Sequence, residues 1–249
     1  MPQLEALFGR NPVLEAIKAA RGIVEINIAE GAQQAAKEVW DAAREEGIPV
    51  KIVPKKVVED KAKGQVHQGI LAWVKARDFA SVSELLDVAA ERKEDPLIIA
   101  IDGIEDPQNL GAIIRSAEGA GAHGIILATR GTTTVTPSVV KASAGATEHM
   151  KIARVPSLPN ALLDLKRKNI WIGGADSKEG NAFWETKLIG PLVLVIGSEE
   201  KGMSVLVRER CDFFVKIPMR GKVESLNAAA ACAVLLMERQ RQLSAAPKR

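Results

Sequence analysis

Three short clusters in this chain combine residue types that can bind and react at one point. The first is Asp106-Pro107-Gln108-Asn109-Leu110-Gly111, with Arg115 a turn and a half of helix further on. Asn109 has the side chain of a helix cap, and the free N–H groups of a helix start favour an anion. The second is Gly197-Ser198-Glu199-Glu200-Lys201-Gly202. A glycine closing an apolar run lets backbone approach a ligand, and Glu199 beside it reads as a cap or a site residue. The third is Ile217-Pro218-Met219, followed by Ser225-Leu226-Asn227. Met219 and Leu226 can bracket a flat base while backbone groups read its edge. Met203 reads as core or pocket wall. Taken singly, the first cluster is also what a capped helix with one solvated arginine produces.

The elements that must position these clusters alternate. From 96 onward, apolar runs at Leu97–Ile101, Gly124–Ala128, Ile170–Ala175, Leu192–Ile196 and Phe213–Ile217 predict strands. Helical patterns are expected at Asn109–Gly119, Pro137–Gly145, Leu158–Lys168, Met203–Glu209 and Leu226–Leu243. Such alternation predicts a parallel α/β sheet, and open sheets of that kind bind ligands outside the carboxyl ends of their strands. Gly197-Ser198-Glu199 and Ile217-Pro218 fall at two such ends, and Ser225 and Asn227 open the helix that follows. The last helix is apolar nearly all round, which predicts burial, in part against a second copy of the chain.

Residues 1–78 read as a smaller α/β unit. Asn11-Pro12-Val13 opens a helix, and Val24–Ala29, Val50–Val53 and Gly69–Lys75 are expected strands. Gln33–Glu46 is an expected helix with Gly47 placed to end it. Lys55, Lys56, Lys61 and Lys63 form an expected basic loop. The charged stretch from Arg77 contains a linker, 79–95, with one short helix at Val82–Arg92 capped by Ser81. The second domain is then 96–249, and the end of the tail is expected to fray.

Composition narrows the classes. The chain has 249 residues, 47% of them hydrophobic, with a net charge of +3. That is enough for a sizeable core, and the mild positive excess permits a nucleic-acid partner without requiring one. The two cysteines, Cys211 and Cys232, have no CxxC spacing and read as reduced core residues of a cytoplasmic protein. His67, His123 and His149 lack ligand spacing, so no metal is expected. No signal peptide or membrane span is evident. Gly119-Ala120-Gly121-Ala122-His123-Gly124 matches the dinucleotide fingerprint in wording only. That motif must follow a strand and open a helix, whereas here it closes a helix and precedes a strand.

In order and spacing, the three clusters resemble the sequence motifs of the SpoU/TrmH family of RNA 2'-O-ribose methyltransferases. FGRNPVLEAI and VHQGILAWV resemble the L30e-like RNA-binding domain that many members carry. Within the family, the chain is most similar to bacterial enzymes methylating a guanosine ribose in 23S rRNA. The resemblance implies a trefoil-knotted catalytic domain, a homodimer, RNA as partner and S-adenosylmethionine as cofactor. It places catalytic roles on Asn109, Arg115, Glu199, Ser225 and Asn227, and cofactor-pocket backbone at Gly197, Ile217 and Leu226. Asn109 and Glu199 would brace Arg115, which would bind the neighbouring phosphate. Two departures stand out: Glu200 where the family has glycine, and Ala229 where it has serine. A methyltransferase acting on tRNA and a non-catalytic RNA-binding protein are the competing readings.

Overall fold

The computed structural model describes residues 4–62, 64, 66–75 and 78–245. Lys63 of the expected basic loop, Arg77, and 246–249 of the expected frayed tail lie outside the described residues, as do 1–3.

The chain divides into two compact units. The front unit comprises the residues up to Asp78 together with Val135–His149. Its sheet has the order β1-β4-β2-β3, from β1 (Leu4–Phe8), β2 (Ile23–Ala29), β3 (Val50–Val53) and β4 (Ile70–Lys75). β2 pairs parallel with β3 and antiparallel with β4. Strand alternation assigns its two faces. Ile26 and Ile28 point into a core with Val13, Ile17, Val39 and Val140. Ala29 and Leu71 point the other way, onto Val58 and Ala62. The first core packs α1 (Arg10–Lys18) and α2 (Lys37–Glu45), and the second packs α3 (Lys55–Ala62).

The expected basic loop is therefore a helix. Val58 and Ala62, one turn apart, give α3 an apolar edge to bury, and its lysines occupy the remaining faces. β1 went unpredicted because its alternation is short and only its end is buried.

The back unit holds a sheet in the order β7-β6-β5-β10-β8-β11-β9 with every pair parallel. Its strands are β5 (Leu97–Asp102), β6 (Gly124–Ala128), β7 (Ile152–Val155), β8 (Trp171–Ala175), β9 (Asn181–Ala182), β10 (Leu192–Gly197) and β11 (Phe213–Lys216). β5 and β10 are buried almost throughout, which explains their unbroken apolar runs. The helices are α4 (Val82–Arg92), α5 (Pro107–Gly119), α7 (Leu158–Arg167), α8 (Val205–Arg208) and α9 (Ala228–Ala245), while α6 (Pro137–Ala142) belongs to the front unit. Among the described residues no helix is long and apolar enough to cross a membrane.

The partition differs from the expected domains in two places. Residues 79–95 belong to the back unit rather than forming a linker. Ser81 caps α4 in a full capping box with Glu84, and Leu85 is completely buried in the sheet core. A Cβ on Gly124 would sit 2.5 Å from Leu85, so that glycine serves helix–sheet packing. Truncating Leu85 to Ala would cost about 2–5 kcal/mol. The second difference is Val135–His149, which leaves the 96–249 stretch to pack on the front unit. Val140 is buried there, Arg21 pairs with Glu148 at 2.7 Å, and His149 meets Glu15 at 2.8 Å.

Candidate active site

From β5 the back sheet grows outward through β6 and β7, and the chain then crosses to the other side of β5. β10 lies directly beside β5, with Gly197 level with Asp102. The crevice at that reversal is where open α/β sheets bind ligands. The loops after β5 and β10 both open there.

After β5, Asp106 caps α5 by accepting from the Gln108 N–H at 2.9 Å, with Pro107 in the first turn. The cap is thus Asp106 and not Asn109. That frees the Asn109 side chain, which donates from Nδ2 to Glu199 Oε1 at 2.7 Å. Asn227 donates from its Nδ2 to Asn109 Oδ1 at 2.7 Å and to Glu199 Oε1 at 2.8 Å. Asn227 Oδ1 in turn accepts from the N–H groups of Ala229 and Ala230, at 3.0 and 3.2 Å, and so caps α9. The last helix therefore begins at Ala228, two residues beyond the expected start. Glu199 also accepts the Ala228 N–H at 3.3 Å, placing a carboxylate on the positive end of that helix. One carboxylate oxygen thus joins the loop after β10, helix α5 and the start of α9.

Arg115 does not join this network. It is exposed, with no hydrogen bond or ion pair among the described residues. Six positions along a helix turn a side chain about 240° away and carry it about 9 Å further on. The expected bracing of Arg115 by Asn109 and Glu199 is accordingly replaced by bonds of those two residues to each other and to Asn227.

Beside the network lies a cavity of about 510 Å³, lined by Gly197, Glu199, Ile217, Ser225 and Leu226 among others. Ile196, Met203, Val215 and Leu235 add apolar wall, with Met203 buried as expected of a pocket wall. Asn109, Arg115, Asn227 and Met219 are not part of that lining, so Met219 does not bracket it with Leu226. Gly197 is required by the turn. A Cβ there would meet the carbonyl carbon of Gly202 at 2.4 Å, where Ser198 and Gly202 close a tight loop. Of the two departures, Glu200 lines the cavity, whereas Ala229 is buried outside its lining.

Two lining residues, Asp176 and Arg208, were not anticipated. The rule that singled out Gly197, a residue at a strand's carboxyl end, also picks out Asp176 after β8. Burial works to raise the Asp176 pKa, but the Glu179 N–H, the Arg208 guanidinium and the Lys178 N–H outweigh it, and the group is held below its ordinary value. Bonding to Asp176 raises Arg208 in turn.

These residues suit the implied cofactor. Its size is met by a cavity within the usual range of small-molecule sites. Its flat, apolar adenine is met by aliphatic walls, and its charged amino-acid end by Asp176 and Arg208.

Comparison with known proteins agrees with this geometry. Residues 96–237 match the model of the SpoU rRNA Methylase family, and residues 6–80 match the model described as RNA 2'-O ribose methyltransferase substrate binding. The Bacillus subtilis protein YacO, assigned to the TrmH family tRNA/rRNA methyltransferases, is 41% identical over 95% of both chains. The SpoU methyltransferase AviRb of Streptomyces viridochromogenes, solved in complex with the cofactor AdoMet, is 26% identical. It superposes over 98% of this chain and 92% of its own, with a TM-score of 0.82. An AdoMet-bound rRNA methyltransferase from Sinorhizobium meliloti is 25% identical over 96% of this chain and 88% of its own, with a TM-score of 0.77. On both family models and on whole-length likeness, this chain belongs to the SpoU/TrmH family of RNA 2'-O-ribose methyltransferases.

Proposed function

We propose that this enzyme methylates the ribose 2'-hydroxyl of a guanosine in 23S rRNA, as a cytoplasmic homodimer using S-adenosylmethionine. The observation that carries the rRNA reading is the whole-length likeness to the Sinorhizobium meliloti rRNA methyltransferase, with a substrate-binding unit in front. Dimer formation is supported by exposed apolar residues on two helices of the back unit: Val205 and Leu206 on α8, and Met237 and Leu243 on α9. The knotted threading implied by the resemblance is supported by the insertion of β10 between β5 and β8 and by the packing of α9 on α5.

In this reading the cofactor brings a methyl group on a sulfonium, and the protein does the positioning. Gly197, Ile217 and Leu226 hold the adenosine through backbone and apolar contacts. Glu199, Asn109 and Asn227 lock the loops around it, and Ser225 at the cavity edge helps fix the loop before α9. Arg115, exposed and without an ion-pair partner among the described residues, binds the phosphate next to the target ribose. It also stabilises charge developing on O2'. A guanidinium is not a proton acceptor, so the hydroxyl proton leaves to a substrate phosphate or to water.

Mapping 2'-O-methyl positions in 23S rRNA and in tRNA, with and without the gene, tests this assignment. Loss of one guanosine mark in 23S rRNA is the expected result. Loss of a tRNA mark alone would replace the substrate and leave the chemistry standing.

A further inference from the structure

The cavity beside Gly197 has one ionic wall that adenosine binding does not require. Asp176 and Arg208 both line it. The Arg208 guanidinium is ion-paired with Asp176, its Nη2 lies 2.8 Å from Glu179 Oε2, and it sits 4.5 Å from the centre of the Phe214 ring. Asp176 is itself fixed, its Oδ1 accepting from the N–H groups of Lys178 and Glu179, each at 2.8 Å. One planar cation is thus held on three sides, with N–H groups left over to donate. The two carboxylates holding it are not equivalent. The Asp176 side chain is 13% exposed and that of Glu179 is 62% exposed. A solvent-exposed pair of the second kind is weak and readily exchanged. Lys178 and Lys201 also line the cavity, but both are exposed and neither has an ion-pair partner among the described residues.

We propose that Arg208 docks the carboxylate of the amino-acid end of S-adenosylmethionine, with Asp176 as the residue that positions it and Glu179 as the contact it displaces. The inference rests on the reading of this cavity as the cofactor site. An amino-acid end is a zwitterion, and its carboxylate matches a pre-oriented guanidinium fork better than a mobile ammonium does. A fork already held in place loses less freedom on binding.

The test uses two ligands that share adenosine and sulfur. S-adenosylhomocysteine carries the amino-acid end, and 5'-methylthioadenosine lacks it. In calorimetric titrations of the full-length protein, Arg208→Gln is expected to weaken S-adenosylhomocysteine by roughly 10- to 100-fold, the range for a charge-assisted hydrogen bond. It should leave methylthioadenosine within about twofold of wild type. Arg208→Lys should recover part of the loss for the first ligand and leave the second unchanged. Glu179→Gln should tighten S-adenosylhomocysteine and not methylthioadenosine. Equal losses for both ligands in Arg208→Gln would make Arg208 a structural residue and overturn the proposal, as would no loss for either. A wild-type protein that bound neither ligand would overturn the cofactor reading itself, so the two failures are distinguishable.

Discussion

Asn227 Nδ2 lies 2.8 Å from Glu199 Oε1, and that same oxygen accepts the Asn109 amide at 2.7 Å. Three segments far apart in sequence are thereby tied at one point. Removing the shared acceptor leaves two amide donors and a helix N–H to find water. Glu199→Ala should lower single-turnover methylation by at least about tenfold and stability by about 0.5–1.5 kcal/mol, because Glu199 is exposed and the freed donors reach water. Asn109→Ala combined with it should add much less than the sum of the single changes, because both act on one network. Fully additive losses in rate and in urea midpoint would show that the network is not a unit.

Arg115→Lys keeps the charge and removes the planar fork. Turnover should fall by roughly 10- to 100-fold with saturating RNA in single-turnover conditions, which isolate chemistry from binding. Affinity for S-adenosylhomocysteine should not change, because Arg115 is not part of the cavity lining. A near-normal rate would remove Arg115 from the reaction.

The lysines of α3 lie on a helix that packs in the front unit through Val58 and Ala62. Lys56→Ala combined with Lys55→Ala should weaken RNA binding and reduce its salt slope by about one for each phosphate no longer neutralised. Cofactor affinity should stay the same. Lys61 is the less clean probe, since its ammonium sits 5.6 Å from the centre of the Trp73 ring. An unchanged slope would move RNA docking elsewhere on the protein.

His123 is buried, its Nδ1 accepts from the Leu97 N–H at 2.9 Å, and its Nε2 faces Glu94 at 3.0 Å. Burial lowers its pKa below 6.5, against the opposing pull of Glu94. The sign follows from proton uptake. Between its folded pKa and 6.5 the unfolded chain binds more protons than the folded one, so stability rises with pH. The contribution is complete above pH 6.5 and is lost as pH falls through the folded value. Urea unfolding should show this acid-side loss in the wild type and a shallower one in His123→Asn. An NMR titration of His123 giving a pKa above 6.5 would reverse the expectation.

Light scattering should report twice the 26.7 kDa chain mass at micromolar concentration. Val205→Glu together with Leu206→Glu, at exposed positions on α8, should shift the protein towards monomer without unfolding it. A wild-type monomer would discard the interface.

Much of the protein was legible before folding was considered. β6 and α4 fall on the residues their patterns mark, because an unbroken apolar run and a serine cap at Ser81 are local signals. The strand end at Gly197, the strand end one residue before Ile217 and the helix start near Asn227 were legible for the same reason. Other features depended on partners distant in the chain. α3 became a helix because Val58 and Ala62 found a sheet face to cover. Val135–His149 joined the front unit because Val140 and Glu148 found partners there. The family resemblance grouped Asn109, Glu199 and Asn227 with Arg115 and Ser225, but not the bonds among the first three. The sheet order, which sets β10 beside β5, decided that Glu199 holds Asn109 and Asn227, while the pitch of α5 turns Arg115 away from them. Residue type and spacing act within a few turns of chain, whereas hydrogen-bond partners more than 90 positions apart, such as Asn109 and Asn227, are chosen by packing.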